Sequence, residues 1–413
     1  MKPLLQVSAS DAAGLRDRLA AALDGGPAVW PVPAAAGGTP GDPYGQPGPV
    51  EVGRVEDHVA AVVETSGSTA APKRVLLSAG ALRASVEATA QVLGGHGRWV
   101  LAVPGHYIAG VQVLVRSIAA GTPVVATTDA PFTAEGFAAA TMQVMRTRDA
   151  LPRYTSLVPV QLARIVEAAE SDPSGHLART LGFYAAILVG GQRVDPALID
   201  RAAAFGCRIV RTYGSSETAG GCVYDGRPLP GVLARSVDGR LELGGPTLAD
   251  GFLDDPDRTA AAFTLDADGR RWYRTGDLGS IDADGVLHVT GRADDVITSG
   301  GVKVVLGEVE RAVQAVPGFT DAVAVRVDDP EWGERVAVVV STGPSGDGPA
   351  ALEALRRATD AAGLPPAARP VRLVPVEAVP RLASGKPDRV ALTALAHATA
   401  DREAASSASP VAE

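Results

Sequence analysis

Cysteine is nearly absent from this chain of 413 residues, which limits the metal and redox chemistry that it can support. Cys207 and Cys222 are its only cysteines, and with six scattered histidines they form no CxxC or HxxxH pair. This spacing argues against a structural zinc site, whose Cys and His ligands come in closely spaced pairs. Because neither cysteine stands beside a histidine, we expect both to be buried apolar side chains and not nucleophiles.

Long apolar runs and clusters of basic residues are missing as well. No apolar run reaches transmembrane length, and residues 1–7 are too short for the core of a signal peptide. The formal net charge of −9 argues against nucleic acid and anionic membranes as partners. We therefore expect a cytoplasmic protein, whose 46% hydrophobic content can fill the cores of two or three domains.

Lysine is scarce although basic residues are not. Lysine and arginine total 38, yet the only lysines are Lys2, Lys73, Lys303 and Lys386. A chain that uses arginine almost everywhere keeps lysine where a compact, mobile ammonium is needed in place of a planar guanidinium. Three of the four lysines lie in glycine-containing loops, which makes Lys73, Lys303 and Lys386 candidates for function.

The chain does contain a hydroxyl-rich stretch at residues 65–73, TSGSTAAPK. Apolar runs at 59–63 and 74–77 predict a strand on either side of it. Its four hydroxyls, one glycine and one ammonium can offer donors and positive charge to a triphosphate. It is not a Walker loop, because GxxxxGK[ST] is absent and no helix is predicted to begin at its lysine.

Strands and helices alternate after this stretch. Apolar runs predict strands near 99–103, 123–126, 155–158, 185–189 and 208–212, and helices at 110–119, from 160 and at 196–205. The alternation predicts an α/β fold with a helix-covered, mostly parallel sheet. Short strands with Asp-Gly turns then predict a small antiparallel β subdomain, and mixed elements after Arg292 predict a small α+β domain.

These patterns predict the domain limits. A large N-terminal domain would cover residues 1–292, with its β subdomain at about 233–290 and a capped helix at 8–24. A mobile C-terminal domain would cover 293–399, and the polar tail at 400–413 is predicted to be disordered. Residues 31–54, rich in proline and glycine, predict a long irregular connection of open role.

Polar or glycine-rich sequence follows three of the predicted strands. These segments are PGHY at 104–107, GGQ at 190–192 and YGSSET at 213–218. Because the carboxyl ends of strands in such sheets face the ligand crevice, we expect the three segments to line one binding site.

Five motifs, in order, resemble those of the AMP-forming acyl-CoA synthetase and adenylation-domain superfamily. They span about residues 55–395, and no one of them alone would be specific. The five are the hydroxyl-rich stretch, YGSSE at 213–217, YRTGD at 273–277, GRADD at 291–295 with SGG at 299–301, and SGK at 384–386.

The resemblance implies a two-step reaction. An acid attacks the α-phosphate of ATP, pyrophosphate leaves, and a thiol captures the acyl-adenylate. The implied catalytic residues are Lys386, Glu217 and Thr69, and Thr69 and Glu217 would also place Mg²⁺. Lys386 would add positive charge where negative charge builds during adenylation. The implied phosphate-binding residues are Thr65, Ser66, Gly67, Ser68, Thr69 and Lys73.

The same resemblance implies which residues bind the nucleoside and CoA and which residue is the hinge. Adenine would contact Gly190, Gly191, Gln192, Tyr213 and Gly214. Ribose would be bound by Asp277 and Arg292. Asp294 would be the hinge about which the C-terminal domain rotates between the two steps. CoA would contact Gly300, Gly301 and Lys303.

Within the superfamily, the chain resembles the compact o-succinylbenzoate-CoA ligases of menaquinone biosynthesis. PGHYIAG at 104–110 and TSLVPVQL at 155–162 carry this resemblance. The usual order of aromatic and histidine is reversed here, as His106 and Tyr107. An aromatic diacid needs an apolar cleft with a few polar groups, and His106, Tyr107 and Gln161 are the candidates. The short segment before the phosphate loop favours a homodimer.

Several functions remain open from the sequence. The acid could be another aryl or acyl acid, and a carrier protein could replace CoA, because pocket shape and not motif sets specificity. A noncatalytic nucleotide-binding protein on the same fold is the second alternative. A kinase or P-loop ATPase would need signatures that this sequence lacks.

Overall fold

The computed structural model describes residues 1–33, 49–65, 72–127, 132–173, 175–341, 348–382 and 385–407, with side chains up to 399. The chain divides into two compact units. The first unit comprises Met1–Arg235, Glu242–Thr275 and Asp282–Leu287. The second comprises Ser236–Leu241, Gly276–Ile281 and the chain from His288 onward. No helix in the described ranges is long and apolar enough to cross a membrane.

The elements alternate along the chain as follows. Up to residue 228 they are β1 (Lys2–Ser8), α1 (Ala12–Leu23), β2 (Ala28–Val32), β3 (Val50–Val55), β4 (Val59–Thr65), β5 (Lys73–Ser78), α2 (Ala79–Leu93), β6 (Arg98–Leu101), α3 (Ile108–Ala119), β7 (Val125–Ala126), α4 (Ala134–Met145), β8 (Arg153–Leu157), α5 (Pro159–Ser171), α6 (His176–Leu181), β9 (Ala186–Gly190), α7 (Pro196–Ala203), β10 (Ile209–Ser215), β11 (Gly220–Tyr224) and β12 (Arg227–Pro228). They continue with β13 (Leu233–Val237), β14 (Arg240–Gly244), β15 (Gly251–Phe252), α8 (Pro256–Ala262), β16 (Phe263–Leu265), β17 (Arg271–Ile281), β18 (Leu287–Arg292), β19 (Val296–Ser299), β20 (Val302–Val305), α9 (Leu306–Gln314), β21 (Val323–Asp329), β22 (Gly333–Ser341), α10 (Pro349–Ala361), β23 (Arg372–Val376) and α11 (Arg389–Ser407).

A seven-stranded sheet in the first unit confirms the predicted α/β fold. Its order is β12-β11-β10-β9-β8-β6-β7. Strands β7, β6, β8, β9 and β10 are parallel, whereas β11 and β12 are antiparallel additions at one edge. Helices α4 to α7 share a core with this sheet that includes Phe137, Leu162 and Ile187. Helix α3 packs on β6 and β11.

The strands that flank the hydroxyl-rich stretch belong to a second sheet. Its order is β15-β5-β4-β2-β1-β3, with β4 and β5 antiparallel. Strand β4 is buried over its first five residues, as its apolar run predicts. Strand β3 contradicts the prediction of an irregular connection over all of residues 31–54, because Val50–Val55 pairs with β1. Most of β3 is exposed, so its sequence carries no burial pattern.

The predicted helix at 8–24 is shorter in the structure. Helix α1 begins at Ala12, with Asp11 as its N-cap, because Lys2–Ser8 forms β1 in place of a helical lead-in. Helix α2 begins directly after Ser78, which is its N-cap: the Ser78 hydroxyl accepts a hydrogen bond from the N–H of Ala81 at 3.1 Å.

The antiparallel strands predicted from the Asp-Gly turns are present. The third sheet has the order β13-β14-β17-β16, with β18 paired to β17. The turn between β13 and β14 places Asp238 and Gly239 at φ of 51° and 74°. Two successive left-handed residues are what a tight hairpin turn of this kind requires, and Asp-Gly adopts them readily.

The second unit contains the small α+β assembly that the sequence predicts. Its sheet has the order β20-β19-β22-β21, with β23 parallel to β22. Residues of β22 alternate between two cores: Val336 and Val338 pack with α9 and α10, and Ala337 and Val339 pack with α11. The backbone of α11 is described to Ser407, and residues 408–413 lie outside the described residues, so disorder over 400–413 and the domain limits stay predictions.

Candidate active site

The carboxyl edge of the seven-stranded sheet brings the three polar segments together in the first unit. The segment at 104–107 follows the end of β6 by two residues, Gly190 is the last residue of β9, and residues 213–215 are the last three residues of β10. Strands β9 and β10 are parallel neighbours, with Gly190 paired to Thr212. This is the edge at which open parallel sheets bind ligands.

The predicted adenine slot is a place where only glycine fits. A Cβ on Gly190 would collide with Thr212 Oγ1 on the neighbouring strand. Gly214 has φ of 154°, and a Cβ there would collide with the carbonyl of Gly220, at a bulge in the β10–β11 pairing. Gly191 has φ of 81°. Tyr213 and Gln192 are partly buried beside these glycines.

Glu217 lies on a short turn that begins where β10 ends. It is the middle residue of the 3₁₀ turn Ser216–Thr218, and only 5% of it is exposed. The Thr218 hydroxyl accepts a hydrogen bond from the N–H of Ser215 at 2.9 Å and lies 2.8 Å from the carbonyl oxygen of Gly220. The carbonyl of Glu217 accepts a hydrogen bond from the N–H of Ala249 at 2.9 Å. The turn is therefore held by its own side chain and by the chain that follows β14.

The ends of the predicted phosphate loop meet across a strand pair. Thr65 at the end of β4 is the register partner of Lys73 at the start of β5. The ammonium of Lys73 is 5.8 Å from the centroid of the Phe252 ring. Residues Ser66, Gly67, Ser68 and Thr69 lie outside the described residues.

His106 and Tyr107 form a pair of rings at the start of α3. Their ring centroids are 4.2 Å apart at an angle of 50°. Burial lowers the pKa of His106 and raises that of Tyr107, so both groups favour their neutral forms near neutral pH. The turn before them packs tightly on the helix, because a Cβ on Gly110 would collide with the carbonyl of Pro104.

Gln161 is buried at the same edge, but main chain engages its amide from two sides. Its Oε1 accepts a hydrogen bond from the N–H of Val158 at 3.0 Å, and its Nε2 donates to the carbonyl of Ala102 at 2.8 Å. The side chain thus ties the end of β8 to the chain after β6. This geometry favours a supporting role for Gln161 in a pocket formed by its neighbours.

The predicted ribose and hinge residues form one charged cluster in the second unit. Arg292 lies 3.2 Å from Asp277 Oδ1 and 3.0 Å from Asp294 Oδ1. Burial alone would lower the pKa of Arg292, but its contacts with Asp294 and Asp277 raise that pKa. Burial would likewise raise the pKa of Asp294, and Arg292 holds it below its ordinary value. Asp294 is therefore ionised, and one guanidinium contacts the carboxylates of both Asp277 and Asp294.

The predicted CoA residues lie on the β19–β20 hairpin of the second unit. Ser299 pairs with Val302, so Gly300 and Gly301 form its two-residue turn, with φ of 55° and 81°. A Cβ on Gly300 would collide with the ring of Trp332, which is 41% exposed. The Lys303 ammonium donates to Thr298 Oγ1 at 2.9 Å.

Lys386 lies on a second small hairpin of this unit. Arg381 and Pro387 form an isolated β-bridge, and the N–H of Leu382 donates to the carbonyl of Lys386 at 2.8 Å. Gly385 has φ of 81°, and the side chain of Lys386 is exposed. Ser384 lies outside the described residues.

Both cysteines are buried, as the sequence predicts. Cys207 and Cys222 are buried thiols, and burial raises the pKa of each to about 12, which suppresses the thiolate. Within the described ranges no group of three or more His, Cys, Asp or Glu could hold a metal. One buried carboxylate, Glu217, fits Mg²⁺ that takes its other ligands from phosphate and water.

Sequence reasoning missed two buried residues near the Glu217 turn. Ser85 Oγ and Gln112 Nε2 both donate to the carbonyl of Ala219, at 3.2 and 2.6 Å. Neither residue lies in a motif, and each is more than 100 positions from Ala219. The only signal in the sequence is a glutamine within the apolar run of α3.

The fold and this edge define the class of protein. Residues 6–244 match the model of the AMP-binding enzyme family, and residues 308–386 match that of the AMP-binding enzyme C-terminal domain. The first match covers more than half of the chain, so the chain belongs to the AMP-binding enzyme family and is an AMP-forming ligase.

Particular relatives narrow this class. The chain is 42% identical over 352 residues to a probable 2-succinylbenzoate–CoA ligase of Mycobacterium tuberculosis, covering 84% of this chain and 87% of the relative. The o-succinylbenzoate CoA synthetase from Bacillus subtilis, solved with the acyl-adenylate OSB-AMP, has a TM-score of 0.67 at 24% identity, covering 81% of this chain and 69% of that one. The amide bond synthetase McbA from Marinactinospora thermotolerans has a TM-score of 0.71 at 25% identity, covering 96% and 80%. These likenesses confirm the predicted fold.

Proposed function

We propose that the protein adenylates 2-succinylbenzoate with ATP, releases pyrophosphate, and transfers the acyl group to CoA. The observation that carries the choice of acid is the 42% identity to the mycobacterial ligase over 84% of the chain. The product would be the CoA thioester that menaquinone biosynthesis requires.

The first unit would bind the nucleotide and the acid. Adenine would lie against the main chain at Gly190 and Gly214, where close packing of the strands admits only glycine, and would stack on Tyr213. Lys73 and the hydroxyls of residues 65–69 would hold the phosphates. Holding the carboxylate in line with the α-phosphorus can contribute about 7–11 kcal/mol through proximity alone.

Mg²⁺ would be held by Glu217 and Thr69 together with phosphate oxygens. The ion would neutralise charge on the triphosphate as pyrophosphate leaves. Glu217 supports this proposal because it is a buried carboxylate on a turn with little freedom to move.

His106 and Tyr107 would line the acid pocket. Their tilted pair of rings offers an apolar face to the benzoate ring, and the neutral imidazole can exchange a hydrogen bond with a carboxylate. Aromatic residues make up only 4% of the chain, so few other positions can stack on the substrate. Gln161 would support this pocket by holding the ends of two strands.

The second unit would supply the remaining chemistry. Asp277 would accept hydrogen bonds from the ribose hydroxyls, and Arg292 lies beside it at 3.2 Å. Lys386 would reach the α-phosphate and the attacking carboxylate. Rotation at Asp294 would then replace Lys386 at the active site by the Gly300–Gly301 turn and Lys303. The turn would admit the pantetheine thiol, and Lys303 would contact the phosphates of CoA.

Exchange of radioactive pyrophosphate into ATP tests the first half-reaction. We expect exchange with 2-succinylbenzoate and not with benzoate, malonate or acetate, and formation of its thioester, detected by mass spectrometry, when CoA is added. Exchange with a different acid only would support the adenylation reaction and contradict the choice of 2-succinylbenzoate as substrate. Transfer to a phosphopantetheinyl carrier protein in place of CoA would favour the carrier-loading alternative.

We further propose a cytoplasmic homodimer in which the β3 edges of two copies pair. Strand β3 ends the sheet order, and Val50 and Val52 are 52% and 43% exposed. Antiparallel pairing about a two-fold axis would cover both valines and bring Glu51 toward Arg54 of the partner subunit.

Light scattering should give a dimer that Val52→Lys dissociates and that the matched surface change Val92→Lys preserves. A monomeric wild type, or a dimeric Val52→Lys, would contradict the proposed interface.

A further inference from the structure

The residue after the Glu217 turn has an unusual backbone. Ala219 is left-handed, with φ of 50° and ψ of 38°, and its N–H donates to the carbonyl of Ser216 at 3.1 Å. In this conformation the Cβ of a non-glycine residue crowds the backbone, so surrounding contacts must hold it. The sequence offers no glycine here to relieve that strain.

Two buried side chains hold the carbonyl of Ala219. Gln112 Nε2 on α3 donates to it at 2.6 Å, and Ser85 Oγ on α2 donates at 3.2 Å. Both donors are at most 1% exposed. Gly220 is also left-handed, and a Cβ there would lie 3.2 Å from Gln112 Cγ, so the glutamine packs directly beneath the exit of the turn.

Without its hydrogen bond to Ala219, Gln112 would be an unfavourable residue in buried, apolar surroundings. Its neighbours on α3, Val111 and Val113, are fully buried. Its own Oε1 is buried with no hydrogen-bond partner among the described residues. Burial of an amide is costly unless it is hydrogen-bonded. The bond to Ala219 is therefore the interaction that accounts for a polar side chain at this position.

Together these contacts fix the backbone of the turn. The carbonyl of Glu217 is held by Ala249, the hydroxyl of Thr218 bonds within the turn, and the carbonyl of Ala219 is held from two helices. Only the side chain of Glu217 remains to be oriented. A shift at Ala219 would move the Cα of Glu217, two residues away, and so displace its carboxylate.

We infer that Gln112 and Ser85 are positioning residues that fix the Glu217 carboxylate for a metal-bound triphosphate. This inference rests on the proposed function, in which Glu217 holds the metal. Loss of the donors should weaken metal binding without changing the affinity for the acid. Outer residues that orient metal ligands typically change metal affinity by about 10–100-fold when removed.

The test replaces Gln112 by methionine, which has a similar shape and no donor, and Ser85 by alanine. The readouts are Mn²⁺ binding in the presence of ATP, followed by electron paramagnetic resonance without any acid, and the Mg²⁺ dependence of pyrophosphate exchange. Gln112→Met should weaken Mn²⁺ binding by about 10-fold. The double variant should lose more than the product of the single losses, because only then does the buried carbonyl lack both donors.

Tyr184→Phe is the matched control for loss of a buried hydrogen bond. The Tyr184 hydroxyl lies 2.6 Å from Thr141 Oγ1, in the core between α4 and α6. This variant should lower the melting temperature and leave Mn²⁺ binding unchanged. If Gln112→Met behaves in the same way, its role is structural only and the inference is overturned.

Glu217→Gln separates this inference from the proposed function. If it weakens Mn²⁺ binding and Gln112→Met does not, positioning by Gln112 is wrong and the metal role of Glu217 stands. If Glu217→Gln leaves Mn²⁺ binding unchanged, the metal role fails and the inference fails with it. Weaker Mn²⁺ binding in both variants, with unchanged KM for the acid, supports the metal role of Glu217 and its positioning by Gln112.

Discussion

In the proposed function, Lys386 acts in only one half of the two-step reaction. Its hairpin is closed by the bonds from Leu382 N–H to Lys386 and from Gly385 N–H to Leu382, both 2.8 Å long. The exposed ammonium would stabilise charge during adenylation only. Lys386→Ala should therefore slow pyrophosphate exchange by about 10²–10³-fold. Rapid-quench measurement should show that thioester formation from supplied acyl-adenylate is spared.

Lys386→Arg is the matched variant for this prediction. It keeps the charge but replaces a mobile point charge with a planar fork, so it should recover part of the lost exchange. Equal losses in the two half-reactions of Lys386→Ala would contradict the assigned role.

His106 gives a prediction about pH at the same scale. Burial holds its pKa in the folded protein below the ordinary 6.5, so the unfolded chain binds more protons just below that pH. The stability that a neutral His106 contributes is fully present above pH 6.5 and is lost as pH falls through the folded pKa. His106→Gln should therefore flatten the fall in stability below pH 6.5, measured by urea unfolding.

Tyr107→Phe is the control for His106, since it changes the same ring pair and keeps the imidazole. It should retain the wild-type dependence on pH below 6.5. If His106→Gln retains it as well, the imidazole is not the group responsible.

The role of a residue could be predicted where the residue belongs to a motif. It could not be predicted where the role depends on a partner that only the fold brings close. The pairing of Asp277 with Arg292 joins two motif residues, so the sequence already suggested that they act together. Gln112 could not be linked to Ala219, because its partner is a main-chain carbonyl 107 positions away. Gln161 was identified from a motif, but only the structure shows both ends of its amide engaged.

At the scale of elements, the first turn of α3 sets the position of the His106–Tyr107 pair. A Cβ on Gly110 would collide with Pro104 and lie 2.8 Å from Gly105 Cα. Because backbone cannot move aside easily, Gly110→Ala should destabilise the protein by about 1–3 kcal/mol in urea unfolding. It should also raise the KM for the acid, since the turn carries the two rings.

Gly80 is the matched control, also in the first turn of a helix. A Cβ there would meet only Ser78 Oγ, at 3.8 Å. Gly80→Ala should stabilise the protein by about 0.5–1 kcal/mol, because alanine loses less backbone freedom in a helix. A neutral Gly110→Ala would show that the α3 turn can relax and would contradict the predicted tight packing.

Elements with a local signal were predicted, and those made by pairing were not. Helix α2 has a serine N-cap and an apolar face, and both are visible in the sequence. Strand β3 is exposed over most of its length and owes its form to its pairing with β1. Helix α4 was missed because its alanine-rich sequence has little contrast between its buried and exposed faces.

At the scale of the whole molecule, the motif residues are divided between two units. The first carries the adenine slot, Glu217 and the ring pair, and the second carries Asp277, Lys386 and the Gly300–Gly301 turn. Adenylation would need Lys386 at the nucleotide, and thioester formation would need the glycine turn there. One site can receive both only in succession, which is why the proposed function requires a hinge.

Asp294→Pro should separate the two steps at that hinge. Asp294 lies in the 3₁₀ turn Ala293–Asp295, and proline there fixes φ near −65° and removes an N–H. Pyrophosphate exchange should remain within a few-fold of wild type, whereas transfer of a preformed acyl-adenylate to CoA should fall by at least about 10²-fold. Asp294→Ala also removes the contact with Arg292 but leaves φ free, so it should retain transfer. Transfer at the wild-type rate in Asp294→Pro would place the hinge elsewhere, and loss in both variants would assign the effect to the Arg292 ion pair.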